Sequence, residues 1–186
     1  APTRPSHRDI IVRTLENVEG MTVSALQAGL GTEWPFETFP DYLDAIEDAG
    51  TAINVGALIG HTALRTYVMG EDATERTATD DEVTEMQTLV REAMEAGALG
   101  FATSKSSTHV GYEGKPVPSR VADFDEMVAL ASALKQAGRG GVIQATVGKE
   151  LSYEEFITLN EASGCPVTWT ALLAGAAING GTAAEQ

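Results

Sequence analysis

Two stretches of this sequence carry residue types able to do chemistry, and each follows an apolar run. In "INVGALIGHTALR", residues 53 to 65, glycine closes the run, His61 follows, and Arg65 stands four residues on. An imidazole there can bind a metal, relay a proton or donate to a carbonyl. The plainer reading has His61 bonding a neighbouring loop carbonyl to order the turn, with Arg65 in a surface or interdomain ion pair rather than acting as an anion clamp. The second stretch, "TSKSSTHVGYEGKPVPSR", gathers Lys105, His109, Tyr112, Lys115 and Arg120 in a chain of net charge -15. Clustered cations suit a carboxylate or another anion. Long loops also collect cations that only balance neighbouring acids. The two prolines of "PVPSR" fix the backbone just ahead of Arg120.

These residues need elements to position them. Four apolar runs read as buried strands: "AINVGALIG" (52 to 60), "ALGFATS" (98 to 104), "GVIQATV" (141 to 147) and "PVTWTALL" (166 to 173). Continuous apolar runs suit parallel strands covered on both faces. Between them lie helical patterns. In "TDDEVTEMQTLVREAMEAG", Val83, Met86, Leu89, Val90, Ala93 and Met94 form one stripe, Thr79 with Glu82 reads as a capping box and Gly97 as the stop. "DFDEMVALASALKQAG" repeats the scheme and ends at Gly138; "LSYEEFITLNEASG" is capped by Ser152 and Glu155 and ends at Gly164. "RDIIVRTLENVEG" and "FPDYLDAIEDAG" read as two further helices upstream.

Alternating strands and helices predict a parallel α/β architecture. No GxGxxG or Walker sequence occurs, so the pattern favours part of a (β/α)8 barrel over a nucleotide-binding open sheet. Barrel active sites use the C-terminal ends of the strands. His61, Lys105, His109 and Arg120 fall there. The third and fourth strands end in neutral groups, Gln144, Thr146, Thr168 and Thr170, which layer packing alone also explains.

Composition narrows the partners. A chain of 186 residues with 43% apolar and 21% charged residues is globular in character. No run approaches the roughly 18 apolar residues of a membrane span, and "APTRPSHRD" lacks a signal-peptide pattern, so the expected location is cytoplasmic. Cys165 has no second cysteine for an internal disulfide. The acidic balance argues against nucleic acid and membrane surfaces as partners. Both ends read as cut, so residues 1 to 186 are expected to be the central portion of a barrel domain, with about half its strands. The remainder of that barrel is the expected partner.

The order of motifs resembles a family. "WPFETFPDYLDAIEDAGTAINVGALIGHTALRTYVMG" followed by "ATDDEVTEMQTLVREAMEAGALGFATS" is similar to the D-aminoacylase, or N-acyl-D-amino-acid deacylase, group of the amidohydrolase superfamily. The resemblance implies a metal-dependent (β/α)8-barrel hydrolase acting on the amide of an N-acyl amino acid or similar small molecule. It implies zinc or another divalent metal in the parent, a carboxylate that shuttles a proton, and cations that hold the substrate's carboxylate. For that last role Lys105 and Arg120 are the first candidates, with His109 and His61 next. The family's His-x-His strand and catalytic aspartate have no counterpart in this sequence, so no catalytic residue is assigned and the piece alone is expected to be inactive. The chain also departs from the family pattern. The strands where the family carries further histidines read "VIQATVGKE" and "PVTWTALL", with Gln144 or Thr146 and Thr170 or Ala171 near those places. Zinc ligation is therefore transferred to no residue here. The alternative is a barrel that has lost hydrolysis and binds a small ligand.

Overall fold

The helices legible in the sequence all form, three of them opened by a capping box. The computed structural model describes residues 2–30 and 34–170. Helix α1 spans Arg8–Glu19, α2 Val23–Leu30 and α3 Phe39–Ala49, the last opened by a Thr38–Asp41 capping box. Strand β1 (Ile59–Gly60) runs directly into α4 (His61–Met69). Then follow α5 (Asp80–Ala96), β2 (Gly100–Ser104), the short α6 (Pro118–Val121), α7 (Phe124–Ala137), β3 (Val142–Thr146), α8 (Tyr153–Ser163) and β4 (Val167–Thr170). Left-handed Gly97, Gly138 and Gly164 end α5, α7 and α8, a conformation that costs glycine nothing extra.

The α5 cap shows how much local chemistry is at stake. Thr79 Oγ1 accepts from the Glu82 N–H at 3.3 Å, and the Glu82 carboxylate accepts from the Thr79 N–H at 2.8 Å. Hydrogen bonds from Arg76 hold the Glu82 carboxyl down at about 2, against the opposing pull of partial burial. Thr79→Ala is expected to lower stability by about 1 kcal/mol in urea denaturation. No measurable change would show that Arg76 alone fixes this helix start.

The four strands are parallel, in the order β1-β2-β3-β4. Their register sets up two faces. Ile59, Phe101, Ile143 and Val167 form one row across the sheet, and Gly60, Ala102, Gln144 and Thr168 form the next. Side chains of successive residues alternate between faces. The Ile59 row lies against α5, α7 and α8, where Met86, Val90, Met94, Met127, Leu130, Leu134 and Leu159 complete a core sealed from solvent. The opposite face carries the Gly60 row together with Ser104, Thr146 and Thr170, and α1 lies over part of it. This is an arc of a (β/α)8 barrel, with helices outside and a polar strip inside. No helix of the described residues is long and apolar enough to cross a membrane.

Two strand expectations need correction. Of residues 52 to 60 only Ile59 and Gly60 are strand; the segment before them is irregular and exposed as far as Gly56, with Ile53 76% and Val55 53% accessible. Apolar sequence favours a strand, but pairing makes one. β2 begins at Gly100, and ahead of it the Leu99 N–H donates to the Ala57 carbonyl at 2.8 Å without extending the ladder further back. The expectation that both faces of the strands are covered also fails among the described residues: Thr168, Trp169 and Thr170 of β4 are exposed. Residues 171 to 173 of the fourth run lie outside the described residues.

Candidate active site

His61 is the first residue of α4, and the register of β1 drives it inward. Its Nδ1 accepts from the Thr103 hydroxyl of β2 at 2.9 Å, and its Nε2 donates to Glu126 Oε1 of α7 at 2.7 Å. One turn later Arg65 donates through Nη1 to Glu126 Oε2, and through Nη2 to the carbonyls of Ala73 at 3.3 Å and Arg76 at 2.7 Å. All three side chains are buried: Arg65 is 0%, His61 1% and Glu126 3% accessible. Burial pushes the His61 imidazole pKa down, with Arg65's charge adding to it, and the Glu126 hydrogen bond only partly opposes this. Burial pushes the Glu126 carboxyl up, but His61 and Arg65 outweigh it and hold the carboxyl below its ordinary range. The set is therefore a neutral imidazole beside an ionised Arg–Glu pair, joining the end of β1 to α7 and the turn after α4.

Glu126 escaped the sequence reading. It sits at the third position of α7, where a glutamate ordinarily turns back to cap its own helix. Here Asp123 Oδ1 accepts from the Glu126 N–H at 2.8 Å, but the return bond of a capping box is not made, because His61 and Arg65 take the carboxylate inward. The available signal was Arg65 itself, since a buried arginine requires a carboxylate partner.

Lys105, one residue beyond β2, is also enclosed, at 7% accessible. Its N–H extends the ladder to the Thr146 carbonyl at 3.1 Å, while its ammonium donates to the carbonyls of Arg120 and Ala122 at the end of α6. Burial lowers its pKa, opposed chiefly by Glu150. The backbone two residues beyond β3 presses close: a Cβ added to Gly148 would lie 1.9 Å from the Lys105 carbonyl oxygen. Arg120 Nη1 donates to the His109 carbonyl at 3.1 Å. His109 in turn folds back so that its Nδ1 meets Ser104 Oγ at 2.7 Å.

These contacts frame a groove of about 240 Å³ across the C-terminal ends of β1, β2 and β3, lined among others by His61, Ser104, His109, Gln144 and Thr146. Helix α1 forms its roof, tied to the 105–117 loop by Asn17, whose amide donates to the Gly111 carbonyl at 2.8 Å. Of the four residues proposed from sequence, His109 and His61 line the groove. Lys105 and Arg120 do not, and reach it through the backbone of the loop that carries His109. Of the two imidazoles that line the groove, His61 spends both nitrogens on Thr103 and Glu126. His109 Nε2 meets no hydrogen-bonding group among the described residues.

A family profile described as "Amidohydrolase family" matches residues 18–185. The chain belongs to the amidohydrolase family. Among curated relatives it is 40% identical over 111 residues to an N-acyl-D-aspartate deacylase of Alcaligenes xylosoxydans xylosoxydans, covering 60% of this chain and 20% of that protein. It is 31% identical over 151 residues to an N-acyl-D-glutamate deacylase of the same organism, covering 78% of this chain and 28% of the other. This amidohydrolase chain thus spans about a fifth to a quarter of such relatives. Among solved structures, an N-acyl-D-glutamate deacylase from Bordetella bronchiseptica, complexed with zinc and a phosphonate inhibitor, superposes with a TM-score of 0.56 at 30% identity, over 75% of this chain and 28% of that one. A D-aminoacylase studied for its binuclear metal centre gives a TM-score of 0.56 at 27% identity, over 71% of this chain and 26% of that one. The relatives named for an activity are deacylases, and none of these matches favours the ligand-binding alternative.

The residues present do not fit a zinc ion. No group of three or more His, Cys, Asp or Glu side chains converges among the described residues. The inner positions of β3 and β4 carry Gln144, Thr146 and Thr170, and Gln144 Nε2 donates to Thr170 Oγ1 at 3.2 Å. Neutral amides and hydroxyls bonded to one another are weak zinc donors beside imidazole or thiolate. The sequence holds three histidines in all, of which His61 is consumed in the buried set. The chain is accordingly expected to retain substoichiometric zinc after dialysis, measured by elemental analysis. One full equivalent would overturn that expectation.

Proposed function

We propose that this amidohydrolase chain is the central portion of a barrel domain, and that the whole protein hydrolyses the amide bond of N-acyl amino acids. The observation that carries the reading is His109, held by Ser104 in a groove at the C-terminal strand ends of a chain whose named relatives are deacylases. His109 lines the groove with Nδ1 spent on Ser104, and on this reading its second ring nitrogen binds the substrate's carboxylate. Ser104 fixes the ring. Arg120 grips the His109 carbonyl and Lys105 the carbonyls of Arg120 and Ala122, so both cations serve the substrate by holding the loop. On this reading the ligands of any divalent metal come from outside the described residues. The test is release of free amino acid by the whole protein from N-acetyl-D- and N-acetyl-L-amino acids, followed by ninhydrin. Release from one of the two series is expected. Absence of release from both, by folded protein supplied with zinc, would sink the reading.

A further inference from the structure

We infer that the acyl group of the substrate is apolar and several carbons long, and that it sits in an aromatic-walled cavity opening from the groove. The inference rests on the N-acyl amino acid reading above and specifies its substrate class. The cavity measures about 360 Å³ and is lined by Ile11, Leu15, Trp34, Phe36, Tyr42 and Ala63 among others. It shares Thr14, Leu15, Gly60 and Thr62 with the groove, so the two spaces adjoin across these residues. No charged side chain stands among the described lining residues.

The wall is built before any occupant arrives. Trp34 and Phe36 lie 5.1 Å apart between ring centroids, Phe36 and Tyr42 5.0 Å, and Tyr42 and Phe39 6.0 Å. Phe39 is the first residue of the capped helix α3, so the ladder is anchored at one end. Arg8 binds the other, donating to the Phe36 carbonyl at 3.3 Å with its guanidinium 5.9 Å from the Trp34 ring centre. Trp34 Nε1 is buried without an acceptor among the described residues, a donor that one oxygen on an otherwise apolar occupant would satisfy. A rigid apolar wall loses little freedom on binding. Its size falls within the range of small-molecule sites.

Polarity assigns the two halves of the substrate. The carboxylate belongs with His109, at the end of the groove beside β2, because the cavity's described lining residues carry no charge to pair it and Arg8, at the far end of the ladder, stands outside that lining. The acyl chain extends the other way, past Gly60 and Thr62 at the end of β1. Each buried methylene then strengthens binding about fourfold.

Calorimetric titration with N-acetyl-, N-butyryl- and N-hexanoyl-alanine tests this, beside N-acetyl derivatives of alanine, norvaline and norleucine. The hexanoyl compound is expected to bind on the order of a hundredfold more tightly than the acetyl compound. Ala63→Phe, which fills the cavity, and Leu15→Asn, which makes it polar, should each collapse that ratio toward unity; the ratio cancels general damage, and the second variant serves where the first does not fold. A flat acyl series in protein that binds N-acetylalanine overturns the cavity and leaves the hydrolase reading standing. A steep norvaline and norleucine series with a flat acyl series reassigns the cavity to the amino-acid side chain and overturns it equally. Absence of binding by every compound rejects the hydrolase reading and the inference with it.

Discussion

Glu126→Ala costs the protein about 3–5 kcal/mol in urea denaturation, a large part of the stability of an ordinary domain. The reason is what remains. Arg65 is fully buried, with Glu126 its one ion-pair partner and Nε already without an acceptor among the described residues. The variant must hold an uncompensated cation in the core or open the turn at Ala73 and Arg76 to water. Replacing both partners, Arg65→Met with Glu126→Met, removes the stranded charge and should recover much of the loss. If the double variant is as damaged as Glu126→Ala, the cost lies in packing and the electrostatic account fails.

The same cluster makes stability depend on pH in a fixed direction. The folded imidazole of His61 has a lowered pKa, so between about 6.5 and its folded value the unfolded chain binds a proton that the native state refuses. Stability is therefore full above about 6.5 and falls as the solution is acidified. A second loss begins below about 4.3, where the unfolded carboxylate takes up protons before the depressed Glu126 does. In His61→Gln the first step should disappear and the second persist. A denaturation midpoint constant from pH 8 to 5 in the parent chain would show that His61 is not kept neutral by burial.

What the sequence revealed and what it withheld divide along physical lines. Thr79, Ser152 and the terminal glycines acted as read because capping is decided within four residues. The 52–58 run failed as a strand because pairing is a property of the neighbour and not of the run. His61 and Arg65 were legible as unusual, but their use depends on Glu126, 61 residues beyond Arg65. The cations of the 103–120 stretch were legible as a cluster, while their direction was not. A lysine that extends the ladder at a strand end can point to substrate or into the loop, and here the bare carbonyls closing α6 drew it inward. The acyl cavity left no local signature, since its walls come from α1, the segment before α3, and the β1–α4 junction.

Kinetics on the whole protein separate the residue that touches substrate from those that hold it in place. His109→Ala should lower kcat/KM for N-acyl amino acids by the value of a charge-assisted hydrogen bond, about 1.5–3 kcal/mol, or roughly tenfold to a hundredfold. The loss should fall on substrates with a free carboxylate and spare their methyl esters, which never form the pair. Arg120→Ala should behave differently. Its guanidinium reaches the His109 carbonyl and does not line the groove, so its removal loosens the loop for every substrate and lowers acid and ester alike. Comparing acid with ester in each variant makes a double difference in which damage to the fold cancels. A selective loss of the acid form in Arg120→Ala, with His109→Ala indifferent to esterification, would exchange the two roles. It would require the guanidinium to leave the His109 carbonyl and swing over Ser104 when substrate binds.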